Sequence, residues 1–153
     1  MSSTHLGPLT EEDISWIELV ERQTQLTFWG IENYRKFLRD CQEYYGCKVL
    51  ARSDGKARGF AGFLLARSVF DDLEILKIGV LPAFQRKGIG TTLMEAAYAE
   101  GSKRGCRRCF LEVRMSNRAA IEFYYRHGFK VAGSRLNYYS DPVEDAWIME
   151  RPL

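Results

Sequence analysis

The chain has 153 residues, 46% of them hydrophobic, a length that allows one ordinary domain over residues 1–153 with a core that needs no disulfide or structural metal. Its formal net charge of +2 is too small to indicate a general nucleic-acid-binding protein. Because it has neither a run of about 18 apolar residues nor a leader-like start, the sequence predicts a cytoplasmic protein that contacts no membrane.

The 4 cysteines predict neither a disulfide framework nor a metal site. Disulfide frameworks belong to exported proteins, and nothing in the sequence indicates export. Cys106 and Cys109 have the Cys-x-x-Cys spacing of zinc and redox sites, but Cys41 and Cys47 lie too far upstream for a zinc ribbon. We therefore expect no metal.

In the first half of the chain, hydrophobic periodicity and turn residues predict a strand, two helices and three strands. A strand over residues 4–9 precedes a helix that begins after Thr10 and runs to about Thr24. The apolar residues of a second helix recur at three- and four-residue steps up to Cys41, and this helix is expected to end near Gly46. The three strands are expected at residues 48–51, 59–66 and 73–80, the first two joined by a turn at 53–56.

From Pro82 onward, strands and helices alternate. Helices are expected from Gly88 to about Gly105 and over residues 117–127, and strands over residues 108–114, 129–136 and 144–150. The complete order predicts the α+β class, a mixed α/β sheet with helices packed on it.

The segment Gln85-Arg86-Lys87-Gly88-Ile89-Gly90-Thr91 lies between a predicted strand and a predicted helix. Glycines let a backbone approach a ligand closely, the first N–H groups of a helix lack partners, and the helix dipole favours an anion there. Arg86 and Lys87 add positive charge where a pyrophosphate would bind. Nucleoside-triphosphate loops and dinucleotide fingerprints fit the segment worse. Taken alone, it fits either a phosphate site or an ordinary helix start after a tight turn.

This loop, Gln-Arg-x-Gly-Ile-Gly after a strand ending in apolar-Gly-Val, resembles the acetyl-coenzyme A pyrophosphate loop of the GCN5-related N-acetyltransferases (GNAT). The resemblance implies the GNAT fold, a central mixed, mostly antiparallel sheet of about seven strands flanked by about four helices. It also implies acetyl-coenzyme A as cosubstrate, with its pantetheine amides bonded by the backbone of Ile78, Gly79 and Val80 as an added strand would be. Gly79 would let the strands splay there, or would form a plain bulge.

Two further segments are similar to the RimI branch of this family, the ribosomal-protein-alanine N-acetyltransferases. They are Leu111-Glu112-Val113-Arg114-Met115-Ser116-Asn117, continuing to Tyr124, and Asn137-Tyr138-Tyr139 followed by Glu144-Asp145-Ala146. The similarity implies that the acceptor is the α-amino group of a protein N-terminus, with a ribosomal protein as a candidate partner. Phe28-Trp29 departs from this branch, because the proline that commonly separates the two residues is missing, and the peptide preference stays open.

Glu112 is the candidate general base. An amine attacks a thioester only when neutral, and an α-amino group with a pKa near 8 loses its proton at pH 7 for about 1.4 kcal/mol, whereas a lysine needs more than about 4 kcal/mol. One modest base therefore suits an N-terminus. Glu112 could accept the proton directly or through water; alternatively, it pairs with Arg114 or another basic side chain across the sheet.

Tyr124 is the candidate general acid, because a phenol is protonated at neutral pH and can donate to the departing coenzyme A thiolate. The alternative is a core aromatic residue with its hydroxyl at the edge. The adjacent Tyr125 would point about 100 degrees away around the helix. Asn117 is expected to cap the helix that starts at Arg118 and, by the resemblance, to contact the pantetheine arm of the cofactor as well.

The family resemblance suggests that Tyr138 and Tyr139 hold the backbone of the acceptor, although they could instead cover the sheet edge from a loop. Phe28 and Trp29 either complete the acceptor pocket or join helix to sheet. Three other functions stay open: acetylation of a small amine or a lysine side chain, a non-catalytic acyl-coenzyme A-binding module, and RNA binding through the basic cluster at residues 103–108. We expect a monomer or a weak dimer.

Overall fold

The computed structural model describes residues 4–24, 26–52 and 57–153. The predicted hairpin turn at residues 53–56 therefore lies outside the described residues. Within them the strands are β1 (Thr4–Pro8), β2 (Tyr44–Ala51), β3 (Gly59–Val69), β4 (Asp72–Val80), β5 (Arg108–Arg114), β6 (Lys130–Ser140) and β7 (Val143–Pro152). The helices are α1 (Ile14–Thr24), α2 (Ile31–Arg39), α3 (Ile89–Lys103) and α4 (Arg118–Arg126), with short 3-10 turns at Glu11–Asp13 and Pro82–Phe84.

The strands in the described part of the chain form one 7-stranded sheet in the order β1-β2-β3-β4-β5-β7-β6. Neighbouring strands are antiparallel except β4 and β5, which run parallel. The predicted fold, a mixed and mostly antiparallel sheet with four helices, is confirmed. The parallel pairing begins at Asp72 and Arg108 and extends only to Ile75 and Leu111. Beyond this pair β4 and β5 separate, and the sheet opens.

Two apolar clusters cover the two faces of the sheet. Phe63 and Leu64 are neighbours in β3 yet belong to different clusters, because successive side chains of a strand point to opposite faces. One cluster packs α3 and α4 on the sheet, and its fully buried members include Leu93 of α3. The other packs α1 and α2, through residues such as Ile17 and Tyr34. The helices therefore fix the positions of β4 and β5 from both sides.

The predicted end of the second helix was wrong. The helix ends at Arg39, and Gly46 lies inside β2, where it pairs with Leu65. Helical periodicity in the sequence continues to Cys41, but the following backbone is held by a distant side chain instead. The guanidinium of Arg104 donates to the carbonyls of Cys41, Gln42 and Tyr44 at 3.0–3.2 Å. Part of the basic cluster at residues 103–108 thus stabilises the start of β2.

Other findings bear on membranes, metals and disulfides. Within residues 4–24, 26–52 and 57–153, no helix is long and apolar enough to cross a membrane. The same residues include no group of three or more His, Cys, Asp or Glu side chains placed to hold a metal ion. All four cysteines are free thiols, and burial raises the pKa of Cys109 to about 12.

Candidate active site

The opening between β4 and β5 leads into a cavity of about 1090 Å³. Its walls come from the ends of both strands, the start of α4, the α1–α2 connection and the hairpin formed by β6 and β7. The predicted site residues that line it are Trp29, Ile78, Glu112, Asn117, Tyr124, Tyr138 and Tyr139. Residues spread over most of the chain are thereby brought together in one place.

Glu112 lies near the end of β5, just beyond the last pair between β4 and β5. Its side chain is 10% exposed and forms an ion pair with Arg135, Nε to Oε1 2.7 Å. The hydroxyl of Tyr138 also donates to this carboxylate. Glu112 therefore does pair with a basic side chain across the sheet, as the alternative expected. The partner is Arg135, whereas Arg114 pairs with Glu144. Glu112 is therefore both paired and placed on the cavity wall.

Tyr124 on α4 is 8% exposed and reaches the same cavity. Its ring contacts Phe123 and Phe129 edge-on, with centroids 5.5 and 5.7 Å away. Burial raises the pKa of Tyr124, so the phenol keeps its proton throughout the neutral range. Tyr125 is 53% exposed, as expected from the rotation of a helix. The position of Tyr124 is thus compatible with both interpretations of the sequence, a core aromatic residue and a general acid, because its ring packs in the core and its edge reaches the cavity.

Asn117 caps α4 as predicted. Its side-chain oxygen accepts the backbone N–H of Ala120 at 3.2 Å, which satisfies one of the free donors at the helix start. Ala120 and Asn117 also line the cavity. The cap thus sets the direction in which α4 leaves β5 and presents Tyr124.

Tyr138 and Tyr139 lie in β6 and not in a loop. The pairing of β6 with β7 is irregular between Arg135 and Tyr139, and Asn137 has φ 51° there. This irregularity turns both rings to the cavity, where they meet edge-on with centroids 5.0 Å apart. Burial raises the pKa of both hydroxyls, that of Tyr139 to about 12.

The tip of the β6–β7 hairpin is held by Arg114. Its guanidinium donates to the carbonyl of Pro142 at 2.9 Å and pairs with Glu144 at 3.3 Å. It also lies 4.2 Å above the ring of Tyr139. Glu144 accepts the backbone N–H of Ser116 at 2.7 Å, and hydrogen bonds from the side chain and the backbone of Ser116 lower the pKa of this carboxyl. No local pattern in the sequence indicates this role of Arg114 and Glu144.

Lys77 is a cavity residue that the sequence analysis missed. It is 6% exposed, and its Nζ donates to Glu21 Oε2 at 2.6 Å, to Tyr34 Oη at 2.9 Å and to the Thr27 carbonyl. The ammonium also lies 4.3 Å from the ring centroid of Trp29. Burial lowers the pKa of Lys77 to about 8, although the Glu21 carboxylate opposes the shift. One feature of the sequence could have indicated this residue: Lys77 is the single charged residue in the otherwise apolar strand segment Ile75-Leu76-Lys77-Ile78.

Gly79 lies in the part of β4 that no longer pairs with β5. It pairs regularly with Phe63, and the irregularity of β4 lies earlier, opposite Leu65. A Cβ at Gly79 would lie 2.6 Å from Val20 Cγ1, so the glycine lets α1 pack directly on β4. The bulge expected as an alternative at Gly79 is therefore wrong, whereas β4 and β5 are apart at this position, as expected, since their last pair is Ile75 with Leu111.

The glycine segment lies outside the cavity lining, at the start of α3. Gln85 donates to the Val80 carbonyl at 3.0 Å, which ties the segment to the end of β4, and Arg86 and Lys87 are exposed. Gly90 lies close to α4, because a Cβ there would be 3.2 Å from Phe123. Ile89 is buried in the core, and Thr91 Oγ1 lies 3.1 Å from His127 Nε2.

Gly88→Ala is expected to destabilise the protein by about 1–2 kcal/mol, because Gly88 has φ 81° and L residues avoid this left-handed region. If the loop binds pyrophosphate, the KM for acetyl-coenzyme A should also rise severalfold. Denaturant unfolding and donor kinetics measure the two effects. Gly59→Ala is the matched control, since Gly59 has open space and no positive φ. Equal stability of the two variants would contradict the expectation.

Trp29 and Phe28 are neighbours in sequence but differ in exposure and in their position relative to the cavity. Trp29 lines the cavity and packs on Tyr34 and Phe37, with centroids 5.7 and 5.2 Å away. Phe28 is 61% exposed and lies outside the cavity lining. Of these two residues, Trp29 lies on the cavity wall while also packing on α2, and Phe28 does neither in the contacts described.

Comparison with known proteins agrees with this geometry. A model of the acetyltransferase (GNAT) family matches residues 12–129. The chain is 34% identical over 151 residues to the N-alpha-acetyltransferase RimI of Mycobacterium tuberculosis, covering 95% of this chain and 90% of that protein. It is 43% identical over 95 residues to the ribosomal protein bS18-alanine N-acetyltransferase of Escherichia coli, covering 61% of this chain and 64% of the relative.

A solved structure resembles the whole chain. The crystal structure of the ribosomal-protein-S18-alanine N-acetyltransferase from Escherichia coli has a TM-score of 0.80 and 32% sequence identity, and the match covers 97% of this chain and 93% of that one. Likeness in sequence and in fold therefore extends over almost the full length. The chain belongs to the acetyltransferase (GNAT) family, within its RimI-like branch, and is an N-acetyltransferase.

Proposed function

We propose that the chain transfers the acetyl group of acetyl-coenzyme A to the α-amino group of a protein N-terminus, with a ribosomal protein as the candidate acceptor. The observation that carries the proposal is the meeting of Glu112 and Tyr124 in the cavity between β4 and β5. A carboxylate and a protonated phenol in one cavity supply the base and the acid that amide formation from a thioester needs.

Acetyl-coenzyme A fits the residues around the opening. The backbone of Ile78 to Val80 lies past the last pair that joins β4 to β5, and such an edge can bond the amides of pantetheine. The free N–H groups at the start of α3, with exposed Arg86 and Lys87 before them, suit a pyrophosphate. When bound, the cosubstrate supplies an acetyl thioester.

In the proposed reaction, Glu112 takes a proton from the acceptor ammonium, directly or through water. The neutral nitrogen attacks the acetyl carbon, the C–N bond forms and the C–S bond breaks. Tyr124 donates its proton to the departing sulfur, and the nitrogen loses its second proton to solvent. Solvent then takes the proton held by Glu112 and restores the one on Tyr124. In this proposal, an N–H of β4 near Gly79 stabilises the developing negative charge on the acetyl oxygen.

The ion pair of Glu112 with Arg135 has to open before the base can act. The Arg135 side chain is 54% exposed, so it can leave for solvent at little cost. The α-ammonium of the acceptor then replaces the guanidinium beside Glu112. In this proposal Tyr138 stays bonded to the carboxylate and keeps it in place.

An α-amine is the acceptor that this arrangement favours. A single carboxylate suits an amine whose pKa is near 8, and it would have to overcome about 3 kcal/mol more for a lysine side chain at neutral pH. The names of the relatives, an N-alpha-acetyltransferase and a ribosomal protein alanine N-acetyltransferase, agree with such an acceptor.

A peptide panel tests the acceptor class. We expect acetylation of alanine-initiated peptides with a free N-terminus, and a rate at least about a hundredfold lower for the same peptides when the N-terminus is blocked and a lysine is free. The rate of coenzyme A release with each peptide measures this directly. Equal rates on blocked and free peptides would assign the activity to lysine side chains, and turnover of small amines alone would assign it to small molecules.

A further inference from the structure

Lys77 connects four separate segments of the chain. It lies on β4, and its ammonium contacts Glu21 of α1, Tyr34 of α2, and both Thr27 and Trp29 of the connection between those helices. Such a buried charge is costly unless it is paired and hydrogen-bonded on several sides, as it is here. The reaction proposed above makes no use of it.

The last residue of α1, Thr24, and the α1–α2 connection form one wall of the cavity. The connection contributes Leu26, Thr27 and Trp29. It has no regular secondary structure between Leu26 and Trp29, so its position depends on individual contacts. The Leu26 N–H donates to the Glu21 carbonyl at 3.0 Å, and Asn33 donates to the Trp29 carbonyl at 2.6 Å. Between these two anchors, the Thr27 carbonyl accepts from Lys77 and the Trp29 ring lies against the same ammonium.

We propose that Lys77 is a positioning residue that holds the α1–α2 connection as the acceptor-side wall of the cavity, and thereby sets the affinity for the acceptor. The proposal rests on the proposed function, because it assigns the wall to the peptide and not to the cosubstrate. Lys77 itself lines the cavity, whereas Glu21 is 1% exposed and provides the charge that keeps the lysine in place. If the connection is already ordered before the acceptor binds, the binding free energy is not reduced by the cost of ordering it.

The test compares Lys77→Met with Lys77→Met/Glu21→Gln. The single variant leaves Glu21 buried without its cation and can lose stability for that reason alone. The double variant removes both charges, and the amide at position 21 can still bond the Tyr34 hydroxyl. Lys48→Met is the control, because Lys48 forms a largely buried pair with Asp13 at 2.7 Å, with the two side chains 17% and 10% exposed, outside the cavity lining.

Steady-state kinetics should show a KM for the acceptor peptide raised about tenfold in both Lys77 variants, with the KM for acetyl-coenzyme A and kcat within about twofold of wild type. Lys48→Met should change stability but neither KM. A double variant with the wild-type acceptor KM would overturn the proposal, because Lys77 would then matter only as the counter-ion of Glu21.

Hydrogen–deuterium exchange provides a readout that needs no acceptor. The amides of residues 26–30 should exchange at least about tenfold faster in the folded double variant, while those of β3 stay unchanged. Unchanged exchange at residues 26–30 would refute the positioning role even if no peptide proves to be a substrate. A wild-type protein that acetylates no peptide but shows the faster exchange on substitution would refute the proposed acceptor and leave the role of Lys77 in place.

Discussion

Glu112→Gln is expected to lower kcat by about 10²–10³-fold, because the amide keeps the size of the side chain but cannot accept the proton of the acceptor. Glu112 lies at the point where β4 and β5 separate, and its carboxylate is positioned by Arg135 and Tyr138. The KM for acetyl-coenzyme A should stay nearly constant, since Glu112 takes no part in the proposed donor site. The measurement is the steady-state rate with a saturating free-N-terminal peptide.

Glu150→Gln is the control for this substitution. Glu150 lies on β7 and pairs with Arg108 at 2.6 Å, at the other end of β5 from the cavity. Loss of this partly exposed pair should change stability by no more than about 1 kcal/mol and leave kcat unchanged. If Glu112→Gln retains wild-type turnover, Glu112 is not the base, and the ion pair with Arg135 is its whole role.

Tyr124→Phe is expected to lower kcat by about 10²-fold, since the substitution removes the proton that the proposed reaction assigns to the departing sulfur and keeps the ring that packs on Phe129. Burial raises the pKa of Tyr124, so the wild-type hydroxyl stays protonated to high pH and its ionisation should produce no loss of activity between pH 7 and 9. An acyl donor whose thiol has a lower pKa should be less affected by the substitution, because its sulfur needs less help to leave.

The neighbouring tyrosine provides the matched control. Tyr125→Phe makes the same chemical change one position along α4, where the ring is exposed, and should leave kcat and stability unchanged. Equal loss in the two variants would indicate a general effect on α4, and wild-type turnover in Tyr124→Phe would show that the sulfur is protonated by another group.

Local patterns were sufficient to place the residues proposed for catalysis. Glu112 lies in a strand of alternating apolar residues. Tyr124 lies on the apolar face of a short helix between Asn117 and a glycine, so both elements have clear boundaries in the sequence. The element order was sufficient to predict the sheet and its helices. The family resemblance, however, was needed to link these residues to acyl transfer.

Contacts between distant residues account for what the sequence did not predict. The helical pattern continued past Arg39, but Arg104, more than 60 residues away, holds the backbone in another conformation. The partner of Lys77 is 56 positions away in α1, and no local pattern indicates that pairing. For Gly79 the sequence suggested a splay of the strands or a bulge, and no local pattern indicates that its lack of a side chain makes room for Val20 of α1.

The most direct test of the proposed reaction is to locate the acetyl group in its product. The purified chain is incubated with acetyl-coenzyme A and an alanine-initiated peptide that also has an internal lysine, and fragmentation mass spectrometry assigns the added acetyl group. We predict that wild type acetylates the first residue, and that Glu112→Gln forms little of the same product. Acetylation of the internal lysine, or equal product from both proteins, would contradict the proposed reaction.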